Sequence, residues 1–178
     1  MNIIDEIRKK NIKFAHLINS FACSEDNPSY LYYAQPITFK SMTVAKNRAN
    51  KNNIDVKLYS IHYPEDDKIV PKNFIKLPCL KRSTQSLFPE ISKNKKLPII
   101  QDMFNSILKH SDADYIIFTN SDIGVHHQFY KEINNIIKNQ NLDSFSINRR
   151  DNLPKFKNND MRLNPNNICY IYKLKGQK

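Results

Sequence analysis

The residues with the clearest chemical potential are Thr119-Asn120-Ser121-Asp122-Ile123. They close Tyr115–Thr119 (YIIFT), a β-branched and aromatic run of the kind that forms a central strand covered on both faces. Ligands of open α/β sheets sit at the carboxyl ends of the strands. A carboxylate placed there is costly unless it is solvated, paired or bound to a cation. Asp122 can bind a hard cation such as Mg²⁺ or Mn²⁺, which takes oxygen ligands. Asn120 can add a carbonyl oxygen or hold a sugar hydroxyl. Two residues apart on an extended segment, both side chains can point the same way. Asn, Ser and Asp are also the residues of an ordinary turn, and spacing alone leaves both readings open.

Other candidates stand around this motif. Arg149 and Arg150 follow the next strand, and an arginine fork matches phosphate geometry. His126 and His127 come shortly after Gly124 and offer imidazole nitrogens for a metal shell, although the start of an exposed helix accounts for them better. Asp102 and Asn105 lie about one turn apart on a helix. Asp66 and Asp67 are expected in a solvated loop.

The elements that must position these groups follow from periodicity. Lys13–Ala22 is a compact apolar run and predicts a buried strand. Residues 35–53 predict a helix, with Pro36 in its first turn. Asp55–His62 alternates as a strand, and 73–80 is a short edge strand because it carries Pro78. Residues 81–97 are polar and are expected to be irregular. Pro98 opens a helix to about His110, 127–139 predicts another, and Asp143–Asn148 a further strand. Alternating strands and helices of this kind predict a three-layer α/β architecture, with a mostly parallel central sheet and helices on both faces. After residue 151 the pattern weakens to an irregular tail over 152–178, in which only 168–174 reads as a strand, expected at an edge.

Composition sets the outer limits. The 178 residues include 28 Lys and Arg against 17 Asp and Glu, a net charge of 28 − 17 = +11. That balance makes polyanions plausible partners. The basic residues are scattered, however, without zinc-finger spacing or a basic aromatic helix, so nucleic acid ranks low as a partner. Only Gly124 and Gly176 are glycine, which rules out a Gly-rich phosphate loop. Cys23, Cys79 and Cys169 are far apart and odd in number, which points to reduced thiols and a cytoplasmic location rather than a disulfide framework. No apolar run reaches the roughly 18 residues of a membrane span. The start, MNIIDEIRKK, lacks the apolar core of a secretory signal.

The stretch DADYIIFTNSDIGV resembles the strand and DxD segment of GT-A-fold glycosyltransferases, with NSDI in place of DxD. The likeness runs back through LPIIQDMFNSILKHS and forward to SFSINRRD. It covers about residues 12–151 and is densest over 97–151. It implies a nucleotide-diphospho-sugar transferase-like fold with a nucleotide-sugar donor, an unknown acceptor and a divalent cation, Mn²⁺ or Mg²⁺. It implies that Asp122 is the metal-binding acid, with Asn120 in the place of the first acid, so that one carboxylate is lost. Asn19, Ser20 and Phe21 would then hold the nucleotide base. Asp102, Asn120, Asp122, Arg149 and Arg150 would reach the nucleotide sugar. The family's general base is expected beyond 151, where Asp151 and Asp160 are the nearby candidates. The likeness fades after about Asp151, and a truncated, non-catalytic binding remnant is the alternative expectation.

Overall fold

A computed structural model describes residues 11–23, 30–92, 96–148 and 168–173 of the chain. Its centre is a six-stranded sheet in the order β3-β2-β1-β4-β6-β5. The strands are β1 (Lys13–Asn19), β2 (Asp55–Ile61), β3 (Ile75–Lys76), β4 (Tyr115–Thr119), β5 (Ser144–Asn148) and β6 (Ile168–Lys173). The helices are α1 (Tyr30–Asn50), α2 (Thr84–Leu87), α3 (Pro89–Ser92), α4 (Ile100–His110) and α5 (Phe129–Gln140), with a 3-10 turn over Pro64–Ile69. β1 pairs in parallel with both β2 and β4, and β3 extends the parallel set at the edge. β6 runs antiparallel to β4 on one side and to β5 on the other.

Strand alternation divides the core into two layers. Phe14, Ile18, Val56, Leu58, Tyr115 and Ile117 face α1 and α5, whose Phe39, Met42, Ala45, Tyr130, Ile133 and Ile137 complete one cluster. Ala15, Leu17, Tyr59, Ile61 and Ile116 face the other way, against Met103 and Ile107 of α4. The mostly parallel sheet with helices on both faces is thus the architecture that the alternating sequence predicts. β1, β2 and β4 are apolar along nearly their whole length because both of their faces are covered.

Several boundaries differ from expectation. α1 begins at Tyr30 and encloses Pro36, which the sequence places in a first turn. Proline inside a helix loses one hydrogen bond and crowds the preceding turn. Here the head of the helix has tertiary bonds of its own. Gln35 Nε2 donates to the Phe21 carbonyl at 2.8 Å, and Gln35 Oε1 accepts from the Phe21 amide at 3.2 Å. The helix stops at Asn50 rather than at 53, and Asn53 takes a left-handed φ of 57°. That is a conformation asparagine tolerates better than most residues. The expected irregular stretch contains α2, started by Ser83, whose hydroxyl accepts from the Ser86 amide while Ser86 returns a bond to the Ser83 amide. The edge strand expected over 73–80 shrinks to β3.

The largest correction concerns the end of the chain. The strand expected at an edge is β6, and it lies between β4 and β5. The segment read as an irregular tail therefore supplies an inner strand of the sheet. Sequence periodicity carries no information about which neighbours a strand will choose, because a strand's partners are set by long-range pairing.

Ile117, fully buried in the middle of β4, gives a direct test of this core. Ile117→Ala is expected to lower stability by about 3 kcal/mol, while Leu108→Ala, at a position 47% exposed, should change it by less than ~0.5 kcal/mol. Urea unfolding monitored by circular dichroism checks both values.

Candidate functional site

The carboxyl ends of β1, β2 and β4 converge on one rim of the sheet. β4 leads into a turn in which the Ile123 amide donates to the Asn120 carbonyl at 3.2 Å. Asn120 is exposed, Ser121 buried and Asp122 half-buried. The turn is held from three directions. The Val125 amide donates to Ser41 Oγ on α1 at 3.0 Å. The Tyr30 hydroxyl, at the head of α1, donates to Asp122 Oδ2 at 3.1 Å. From beneath, Thr119 Oγ1 lies 2.9 Å from His16 Nε2, and His16 Nδ1 lies 2.7 Å from the Tyr130 hydroxyl.

His16 is wholly buried, and burial pushes its pKa down to about 3, because the apolar surroundings oppose the charged imidazolium. The neutral ring has one donor and one acceptor nitrogen, and two hydroxyls satisfy both. This bridge across β1, β4 and α5 was not anticipated from the sequence, although a signal was present. Strand alternation puts His16 on the same face as Phe14 and Ile18, so a polar ring had to be satisfied inside the core.

The loop after β1 is bound tightly to its surroundings. Asn19 Nδ2 donates to the Ile61 carbonyl at 2.9 Å. The Ser20 amide donates to the same carbonyl at 3.1 Å, and the buried Ser20 hydroxyl accepts from Ser60 Oγ at 2.7 Å. Gln35 clamps the backbone of Phe21. The Ala22 amide donates to Asp66 Oδ1 at 2.8 Å.

Asp66 corrects an expectation, since the sequence places it in a solvated loop. It is only 6% exposed, because the 3-10 turn folds it inward to receive the Ala22 amide. Asp67 does stay exposed, yet it pairs with Lys76 at 2.7 Å and with His62 at 3.2 Å. The Lys76 hydrogen bond is the main cause that holds its carboxyl below the usual range, and His62 adds to it.

Asp102 and Asn105 face a different feature. They line a cleft of about 420 Å³ with Pro78, Leu80, Lys81, Arg82 and Lys109, and neither Asn19, Asn120 nor Asp122 contributes to its wall. Asp102 takes a two-pronged contact from Arg82, at 3.0 and 2.5 Å. That contact lowers the carboxyl's pKa and raises the guanidinium's. His126 and His127 precede α5 rather than opening it, and their rings lie 3.9 Å apart. His127 sits below the usual imidazole range, first through desolvation and then through His126 and Arg48. Arg149, Arg150, Asp151 and Asp160 lie outside the described residues.

A divalent cation at this rim would find one carboxylate, Asp122, and the Asn120 amide oxygen. Among the described residues no group of three His, Cys, Asp or Glu side chains could hold a metal. The described residues of the rim thus do not by themselves form a protein cage for a cation.

No protein-family model matches the chain, and no curated protein matches its sequence. Among solved structures, the chain is similar to the 4-diphosphocytidyl-2C-methyl-D-erythritol synthase of Anaerococcus prevotii. The TM-score is 0.49 and the identity 10%, over 93% of this chain and 73% of that one. The rim is accordingly read from its own residues. Among the described residues, no helix is long and apolar enough to cross a membrane.

The buried imidazole has a measurable consequence. Its folded pKa lies below the unfolded value near 6.5, so the unfolded chain binds more protons between those two values. The stability that His16 contributes is complete above about pH 6.5 and is lost as pH falls toward 3. In NMR titration the His16 ring should keep neutral-form shifts down to pH 5. A midpoint near 6.5 would contradict the buried bridge.

Proposed function

We propose that the chain binds a nucleotide-diphospho-sugar at the carboxyl rim of β1, β2 and β4, and that glycosyl transfer to an acceptor hydroxyl is the chemistry of this site. The observation that carries the reading is the position of Asp122. It stands in the turn that follows the buried middle strand of a mostly parallel sheet, it is half-buried, and a tyrosine hydroxyl orients it. Carboxyl ends of such strands are where α/β sheets receive ligands. The resemblance of residues 97–151 to the DxD segment of GT-A-fold glycosyltransferases supports the same assignment.

In the transfer, an acceptor oxygen forms a bond to the anomeric carbon while the bond from that carbon to the diphosphate oxygen breaks. The electron pair leaves with the nucleoside diphosphate, and the acceptor proton passes to a base, for which Asp151 is the candidate. A divalent cation held between Asp122, Asn120 and the diphosphate would supply positive charge to the leaving group. The chain's own part is to fix Asp122 through Tyr30, Ser41 and the His16–Thr119 bond. Arg149 and Arg150 are the proposed diphosphate ligands. In the loop after β1, Asn19 and Phe21 are the proposed contacts for the nucleotide base.

One observation favours a second reading, in which the site binds a donor without transferring from it. Asn120 stands where a second acid would be, and a single carboxylate holds a cation more weakly. Turnover separates the two readings, since release of free sugar or a glycosylated product above background requires an active transferase.

Calorimetric titration with UDP- and GDP-sugars, with and without Mn²⁺, tests the proposal. Binding strengthened by Mn²⁺ is expected, and Asp122→Ala should remove that increment and weaken binding by about tenfold, the cost of one charged contact. Failure to bind any nucleotide diphosphate, with or without metal, overturns it.

A further inference from the structure

The head of α1 bears three tyrosines within its first four residues, Tyr30-Leu31-Tyr32-Tyr33. The Tyr30 hydroxyl reaches Asp122, which sets this turn of helix against the rim. Tyr32 and Tyr33 meet edge to face, with centroids 5.2 Å apart and planes at 87°. Tyr33 is 58% exposed and Tyr30 39%, so two phenol rings next to the candidate site are presented to solvent.

The charge pattern narrows what such a surface can take. The chain has a net charge of +11, yet residues 30–39 contain no Lys, Arg, Asp or Glu. An anionic membrane or a nucleic acid would be met by cations, and residues 30–39 supply none. Phenol rings combine a flat apolar face with a hydroxyl at the rim. A pyranose has the matching character, with a face of C–H groups and an equator of hydroxyls. The neighbouring Asp122 carboxylate and Asn120 amide offer hydrogen-bond partners for those hydroxyls.

We propose that Tyr30, Tyr32 and Tyr33 form an aromatic platform that seats the pyranose ring of a carbohydrate acceptor beside Asp122. The inference rests on the reading of Asp122 as the donor-side residue and adds the chemical class of the acceptor. Tyr33 provides the stacking face, Tyr32 braces it edge-on, and Tyr30 joins the platform to the rim.

Saturation-transfer NMR on the full chain, with methyl β-glucopyranoside and lactose as probes and glycerol as control, reads the platform directly. Transfer to the C–H protons of the sugars and not to glycerol is expected. Tyr33→Ala should reduce it about fivefold, the scale of one aromatic contact, while Tyr33→Phe keeps it. Because Tyr33 is exposed, both variants should fold, and circular dichroism checks that they do. Nucleotide binding by calorimetry should be unchanged in Tyr33→Ala, which separates this proposal from the donor-site reading. Sugar signals in a chain that binds no nucleotide diphosphate would support the platform and remove the donor site. Absence of transfer to either sugar, or transfer indifferent to Tyr33→Ala, overturns the platform. So would self-association or vesicle binding that depends on Tyr33 in place of sugar binding.

Discussion

A neutral imidazole in the middle of the sheet connects the core to the rim. His16 spans the Thr119 hydroxyl at the end of β4 and the Tyr130 hydroxyl on α5, and Phe129 and Tyr130 pack their rings around it. A buried polar group costs little only when each of its hydrogen-bonding atoms is satisfied. Both nitrogens are satisfied here, and the partners they select fix the side chain that immediately precedes Asn120. The Asn120–Asp122 turn thus starts from a strand end whose rotamer is set inside the core. Pinning from below, together with the two contacts from α1, limits the freedom of the Asp122 carboxylate. A group intended to meet a charged ligand gains from that restriction, because less ordering remains to be done on binding.

The acids near the carboxyl ends of the strands are committed to different tasks. Asp66 faces inward and accepts a backbone amide from the loop after β1. Asp67 stays at the surface between Lys76 and His62. Asp102 belongs to Arg82 and to a separate cleft. Asp122 is the acid whose oxygen takes a neutral hydroxyl from Tyr30. The acids at this end of the sheet are thus engaged by different partners, and the Tyr30 hydroxyl orients the Asp122 carboxylate.

Much of the architecture is legible in the amino-acid sequence itself. YIIFT reads as a buried strand because an apolar run of that length makes sense only with both faces covered, and KFAHLIN because only His16 interrupts the apolar residues between its ends. The helix ending at His110 was legible because Met103 and Ile107 repeat at helical spacing, and the Asn120–Asp122 turn because polar residues follow an apolar strand abruptly. The head of α1 was not legible. Pro36 signals a first turn by local rules, and only the tertiary bonds of Gln35 and Tyr30 show that the helix extends through it. The burial of Asp66 is hidden for a similar reason: an acidic run in a Pro-flanked loop looks solvated until the loop folds over the end of β1.

Local pattern determined which segments are strands and helices, which faces are apolar, and that an acid stands at the end of a central strand. Those properties depend on neighbours a few residues away, and periodicity records them. Tertiary structure alone decided that β6 enters the sheet between β4 and β5, that His16 bridges two hydroxyls, and that Tyr30 reaches Asp122. Each joins positions about a hundred residues apart or depends on strand pairing. Such contacts are selected by the packing of the whole chain and leave no periodic trace in the sequence.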